Sequence, residues 1–152
     1  MQYFEGKDYE HKVEDLMDFD KEKQEVIYTG HLALDSLKKA KADLDSARNW
    51  GIYDIVGGGL LATMVKHGKM KSANENIKKA MTDLQKFRNE LDDIDYANED
   101  YMKLGELTMA ADIIFDNVLT DLYVQSKIND LRLRVEEAIR RVERILKDVE
   151  SN

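Results

Sequence analysis

Apolar residues recur along three long stretches of the chain at alternating steps of four and three, which is the spacing of one buried helix face. The first stripe consists of Val26, Gly30, Ala33, Leu37, Ala40, Leu44 and Ala47. The second stripe consists of Ala73, Ile77, Ala80, Leu84, Phe87, Leu91 and Ile94. The third stripe consists of Ile128, Leu131, Val135, Ala138, Val142, Ile145 and Val149. This pattern predicts three long helices.

Each stripe is wider than the two apolar positions in seven that a two-stranded coiled coil requires. The widening residues are Ile27 and Leu34 in the first stretch, Met81 in the second, and Ile139 and Leu146 in the third. A wider apolar face implies that each helix contacts at least two neighbours. We therefore expect an all-α fold, an antiparallel bundle of three long helices with coiled-coil-like packing. The absence of proline agrees with this, because proline costs roughly 3 kcal/mol inside a helix.

Two segments outside the stripes also have helical spacing. A shorter apolar pattern between Glu106 and Tyr123 predicts a fourth, short helical piece. Its phase does not join the third stripe, which predicts a kink or a break near residues 116–126. Whether residues 107–150 form one kinked helix or two stays open. Residues 5–19 are expected to form either an extra helical turn or two, or a loosely docked arm.

The domain organisation follows from the length of the chain and from its few glycines. We expect one domain, residues 1–152, because the chain has the size of a single domain and lacks a linker-like segment. Irregular connectors are expected near residues 50–71 and 97–117. Ser72, with a glutamate three residues later, matches a capping box, so the second long helix is expected to begin at Ala73.

Composition excludes several classes of function. The chain has no cysteine, which rules out disulfides, thiolate zinc sites and thiol catalysis. Its net charge of −8 disfavours nucleic-acid binding. Acidic residues interrupt Met1 to Lys12, which is unlike a secretion signal, so a cytoplasmic location is expected. The apolar run Ile52 to Val65 is shorter than the about 20 residues of a spanning helix, so no stable membrane insertion is expected.

The predicted connector at residues 50–71, here called the glycine-rich connector, holds all but one of the candidate ligand-binding residues. In one interpretation its three consecutive glycines let the chain pass close to a helix backbone. In the other, glycine amides and nearby cations bind a small anion. The residues of that candidate site are Gly57, Gly58, Gly59, Lys66, His67 and Lys127. No catalytic residue, cofactor or metal ligand is assigned, since the paired Glu-x-x-His motif of di-metal bundles is absent.

Two irregular segments together carry a resemblance. Their residues are Trp50-Gly51, Asp54, the triplet Gly57 to Gly59, Lys66-His67, Phe115-Asp116-Asn117, Asp121 and Val124-Gln125-Ser126-Lys127-Ile128. In this combination the chain resembles an uncharacterised group of bacterial all-helical proteins. The resemblance implies no activity and no ligand. It does imply that the connector after the first long helix packs against the start of the last helix.

Three hypotheses about function follow from these patterns. The first is a non-enzymatic interaction or scaffold protein, whose wide stripes and mixed-charge faces recruit another helix, either a protein partner or a second copy of the chain. The second is a binding protein or enzyme for a small anionic ligand at the connector. The third is peripheral membrane association through residues 52–65. The sequence leaves open whether the protein is an enzyme, although it favours a non-enzymatic role.

Overall fold

The computed structural model describes residues 2–57, 60–107 and 125–151, and the side chains of residues 9–46, 72, 74–107 and 129–151. Over these residues the chain is helical throughout, apart from a short connection at 94–98. The helices are α1 (Gln2–Gly57), α2 (Leu60–Asp93), α3 (described over residues 99–107) and α4 (Gln125–Ser151). The predicted all-α fold class is confirmed, and α1 is much longer than the sequence pattern indicates.

The three apolar stripes form one hydrophobic core, as predicted. Every stripe residue with a described side chain is buried, except Ile94, which is partly buried. Phe87, Leu37 and Leu44 are among the largest fully buried side chains. Full burial of a side chain of this size contributes about 1.5 to 3 kcal/mol. The core also contains Leu104 of α3, which lies within the predicted irregular connector at residues 97–117.

Helix α1 packs against both α2 and α4. Its contacts with α2 include Gly30 with Phe87, Ser36 with Asp83, and Asp43 with Asn76. Its contacts with α4 include Gly30 with Leu146, Lys38 with Glu143, Lys41 with Glu136, and Asp45 with Arg132. Residue numbers rise along α1 while they fall along each partner helix.

The second long helix begins earlier than expected. The prediction that it begins at Ala73 is wrong, because α2 is continuous from Leu60. The Ser72 hydroxyl, which was expected to cap the helix, donates instead to Asp43 of α1 over 3.1 Å. The capping-box pattern is therefore a tertiary contact within a longer helix. Residues 50–57 and 60–71 are helical rather than an irregular connector.

The second predicted connector, residues 97–117, is also helical where it is described, over residues 99–107. Asn98 caps this helix, since its side-chain oxygen accepts a 2.9 Å hydrogen bond from the Tyr101 amide. Helix α3 lies between α2 and α4. Gly105 lies against Arg88 of α2, and Asp100 accepts a 2.9 Å hydrogen bond from Arg141 of α4. The predicted break near 116–126 lies largely outside the described residues.

Helix α2 ends in a hydrogen-bonded turn. The amide of Tyr96 donates to the carbonyl of Leu91 over 3.0 Å, and the amide of Asp95 donates to the carbonyl of Asp92 over 3.0 Å. These two bonds are the Schellman arrangement, which places the residue after the helix in the left-handed region. Asp95 adopts that conformation, with φ of 53°. The chain thereby reverses within a few residues and delivers Asn98 to the start of α3.

Gly30 lies where α1, α2 and α4 come closest together. A Cβ atom at this position would lie 2.5 Å from Leu146 Cδ2 and 2.8 Å from Phe87 Cε2. Both neighbours are fully or almost fully buried, so neither can move without disturbing the core. A Cβ atom at Gly105 would also lie close to a neighbour, at 2.9 Å, but that neighbour is the end of the long Arg88 side chain, which can move aside.

The two glycines give a matched test of this close packing. We expect Gly30→Ala to lower the free energy of unfolding by about 1 kcal/mol, since overpacking costs about 1 to 3 kcal/mol and the gain in helix propensity offsets about 1 kcal/mol of it. Gly105→Ala, the control, is expected to be neutral or slightly stabilising. Urea denaturation followed by circular dichroism measures both. Equal effects of the two substitutions would contradict the assignment of Gly30 as the close contact.

Candidate interaction surface

The N-terminal part of α1 extends beyond the helices that cover the rest of it. Every side chain from residue 9 to residue 21 is exposed, whereas burial begins at Val26. Near the end of α4, Leu146 lies against Gly30, and Glu150 Oε1 lies 3.2 Å from His31 Nε2. We call residues 9–21 the exposed arm. The sequence predicts an extra helical turn or two, or a loosely docked arm, over residues 5–19. These residues are instead part of α1, and each of their described side chains, from residue 9 onward, is exposed.

One side of the exposed arm is apolar. Its residues, with their exposed fractions, are Tyr9 (70%), Val13 (52%), Leu16 (65%), Met17 (66%) and Phe19 (52%). Four of them follow the helical spacing i, i+4, i+7, i+8, and Phe19 lies one turn beyond Leu16. We call these five residues the apolar face. Isolated exposed apolar residues are ordinary on protein surfaces, but a contiguous group of this size is typical of an interaction site.

The remainder of the exposed arm is acidic. Residues 9–21 contain five acidic and two basic residues, a net charge of −3 with histidine neutral. The acidic character continues at the base of the arm, where Glu90 of α2 lies within hydrogen-bonding reach of Glu25 of α1. Burial and the nearby charges of Glu25 and Asp93 raise the pKa of Glu90 above its ordinary value of 4.5.

The candidate ligand site of the connector falls largely outside the described residues. Gly58 and Gly59 are outside them altogether. Gly57 is the last residue of α1, Lys66 and His67 lie within α2, and Lys127 lies in the first turn of α4. The side chains of these three basic residues are not among those described, so the anion-binding hypothesis stays a prediction.

A polar cluster in which Ser36 and Asp83 are buried and Lys79 is exposed joins α1 to α2, and it was not expected from the sequence. The Ser36 hydroxyl donates to Asp83, and Lys79 Nζ lies 3.0 Å from Ser36 Oγ and 2.9 Å from Asp83 Oδ2. A serine beside a lysine is a known nucleophilic pair, but substrate must reach the hydroxyl. Ser36 is only 2% exposed, so this cluster fixes the register of the two helices rather than carrying out chemistry.

The charge state of this cluster depends on Asp83. Burial raises the pKa of Asp83, but hydrogen bonds from Lys79 and Ser36 and the charges of Lys79 and Lys86 outweigh it. The pKa therefore lies below its ordinary value of 3.8. The contribution of Asp83 to folding is present above that ordinary value and is lost as the pH falls through the lowered one.

An open cleft of about 310 Å³ lies between the start of α3 and α4. Two arginines line it, and one carboxylate already engages both: Asp100 Oδ1 lies 2.9 Å from Arg141 Nη1 and 3.1 Å from Arg144 Nη2. Glu137 accepts a further pair of hydrogen bonds from Arg141, at 3.0 and 2.9 Å. The arginines that would recognise an anion are thus neutralised within the chain, so the cleft serves to hold α3 against α4.

Comparison with models of known families, with curated proteins and with solved structures finds no match for this chain. Within the described parts of the chain, no helix combines the length and the apolar character that crossing a bilayer requires. The same residues contain no group of three or more histidine, aspartate and glutamate side chains arranged to hold a metal ion. Five of the eight large apolar side chains that are exposed among the described residues lie on the exposed arm.

The carboxylates of Glu25 and Glu90, at the base of the arm, are expected to make the free energy of unfolding depend on pH. Because folding raises the pKa of Glu90, this group favours folding below its ordinary value of 4.5 and loses that contribution as the pH rises through the raised value. We expect Glu90→Gln to raise the free energy of unfolding at pH 7 by about 0.5 kcal/mol, the size of a like-charge interaction between neighbouring side chains. The gain is expected to vanish near pH 4, as measured by urea denaturation across that range.

Glu75→Gln is the matched control, because it removes the same charge from an exposed position of the same helix. It is expected to change stability little at either pH. A gain at pH 7 that is the same for both substitutions would show that overall net charge, rather than the Glu25 and Glu90 pair, is responsible.

Proposed function

We propose that this protein is a non-enzymatic interaction or scaffold protein that recruits another helix. The observation that carries the proposal is the apolar face of the exposed arm, five large side chains that are each more than half exposed on one side of a helix. Amphipathic helices that present anchors at steps of three and four residues are a common element of helix-mediated recognition. The rest of the chain provides the rigid support from which this helix projects.

In this proposal the remaining helices form an antiparallel bundle with coiled-coil-like packing. The reversed order of contacts between α1 and its two partners supports that arrangement. The lack of cysteine is in keeping with a reducing compartment such as the cytoplasm. Because α1 is one continuous helix, the direction in which the exposed arm projects is set by the position of α1 in the bundle.

The charge of the exposed arm favours a protein partner over a lipid surface. Helices that lie on membranes carry lysine and arginine on their polar face, which attract anionic headgroups. The exposed arm has a net charge of −3 and its polar side is mainly acidic. The region proposed for membrane association from the sequence, residues 52–65, has no described side chains, so no observation favours that alternative.

Photo-crosslinking along the exposed arm tests this proposal. A photoreactive amino acid at Leu16 is expected to form covalent adducts in cells that express the full chain, because a bound partner covers the apolar face. The same amino acid at Asp18, almost opposite Leu16 on the helix, is the control and is expected to form few. Denaturing electrophoresis reveals the adducts. If Leu16 formed no more adducts than Asp18, the exposed arm would not be a docking surface.

A further inference from the structure

The number of residues between α3 and α4 limits how far that part of the chain can reach. Residues 108–124 join α3 to α4, and both attachment points lie far from the exposed arm. Leu107, before this segment, shares a small apolar cavity with Ile77, Leu84 and Leu131, at the level of α1 residues 36–43. Asp45 of α1 pairs with Arg132, only seven residues after Gln125.

The distances along α1 can be compared with the length of chain that residues 108–124 provide. At 1.5 Å per residue, Leu16 lies about 30 Å along α1 from Ser36 and about 44 Å from Asp45. A segment that started near Ser36, reached Leu16 and returned to the neighbourhood of Asp45 would need to span at least about 74 Å. Residues 108–124 reach about 60 Å even when fully extended. An occupant of the apolar face is therefore not supplied by residues 108–124.

We propose that this occupant is the same face of a second copy, so that two chains associate through their exposed arms in antiparallel orientation, crossing near Leu16. The proposal rests on the interaction role proposed above and names the partner. Five side chains of this size, each more than half exposed, present on the order of 500 Å² of apolar surface. Two copies would cover on the order of 1,000 Å², which reaches the lower bound for a specific interface.

The charges beside the apolar face favour the antiparallel orientation. Lys12, Leu16 and Asp20 form one row at steps of four along the exposed arm. Lys12 and Asp20 are therefore equally far from Leu16, on opposite sides of it. Antiparallel arms that cross at Leu16 place each Lys12 opposite the Asp20 of the other copy. Parallel arms would place lysine opposite lysine and aspartate opposite aspartate, which is unfavourable.

The symmetry of this arrangement makes a charge-reversal experiment decisive. Lys12→Asp alone places two aspartates opposite each other at both ends of the contact, and Asp20→Lys alone places two lysines there. Each single variant is expected to dimerise at least tenfold more weakly than the unmodified chain. An equimolar mixture of the two variants is expected to associate again, because each aspartate at 12 then meets a lysine at 20 and each lysine at 12 meets an aspartate at 20.

Sedimentation equilibrium of the full chain and of these variants measures the association. The unmodified chain is expected to sediment at twice its mass of 17.6 kDa. Both substitutions lie on the exposed arm, so circular dichroism is expected to remain unchanged, and Leu16→Glu provides a second variant that is expected to be monomeric. A monomeric unmodified chain, or a mixture that associates no better than the single variants, would overturn the proposal.

The two proposals fail in different ways. If the unmodified chain is monomeric but Leu16 forms crosslinks of another mass, the interaction role stands and the second copy is wrong. If the chain is monomeric and Leu16 forms no crosslinks, both are wrong. If it dimerises but Lys12→Asp, Asp20→Lys and Leu16→Glu change nothing, the contact lies elsewhere and this inference is wrong.

Discussion

The close approach of three helices at Gly30 is the constraint on which the rest of the structure depends. With no side chain at that position, Leu146 of α4 and Phe87 of α2 both lie against the backbone of α1. This contact fixes where the two partner helices stand along α1. Since α2 turns at Asp95, the part of α1 before residue 22 has no described neighbour. The exposed arm is therefore a consequence of register.

Polar groups reinforce the same register. The bonds of Ser36 with Asp83 and of Asp43 with Ser72 and Asn76 join α1 to α2 at two levels. A shift of the helices by one turn would separate these partners and leave the buried Ser36 hydroxyl without them, and an unsatisfied buried polar group costs about 1 to 3 kcal/mol. Salt bridges along the rim between α1 and α4 are more exposed and contribute less to stability.

Much of the fold is predictable from the sequence, because burial of one helix face imposes a periodic pattern. The three stripes and the all-helical class follow from that pattern, whereas the predicted fourth helical piece, residues 106–123, lies almost wholly outside the described residues. The starts of helices are less predictable. Ser72 has the local signature of a cap, and only the position of Asp43 on a distant helix reveals its true partner. The start of α3 did have a local signal, Asn98 followed by two acidic residues, which the sequence analysis missed.

The candidate site was less predictable, for a physical reason. Val13, Leu16 and Met17 are visible as apolar residues in the sequence, but whether another helix covers them depends on the register of α2 and α4 along α1. That relation is a property of tertiary packing. The glycine-rich connector, by contrast, is conspicuous in sequence, yet its backbone is helical wherever it is described. In this chain, the segment with the most unusual composition is therefore not the segment with the most exposed apolar side chains.

The central claim is that α1 continues as a straight helix through the exposed arm. The most direct measurement is the distance between spin labels at residues 14 and 39, two exposed positions of α1 in a chain without native cysteines. Labelled chains diluted with unlabelled ones would report the distance within one copy. A continuous helix predicts a narrow distribution centred at about 38 Å. A distribution centred well below that value would show that the arm folds back onto the bundle, and would contradict the account.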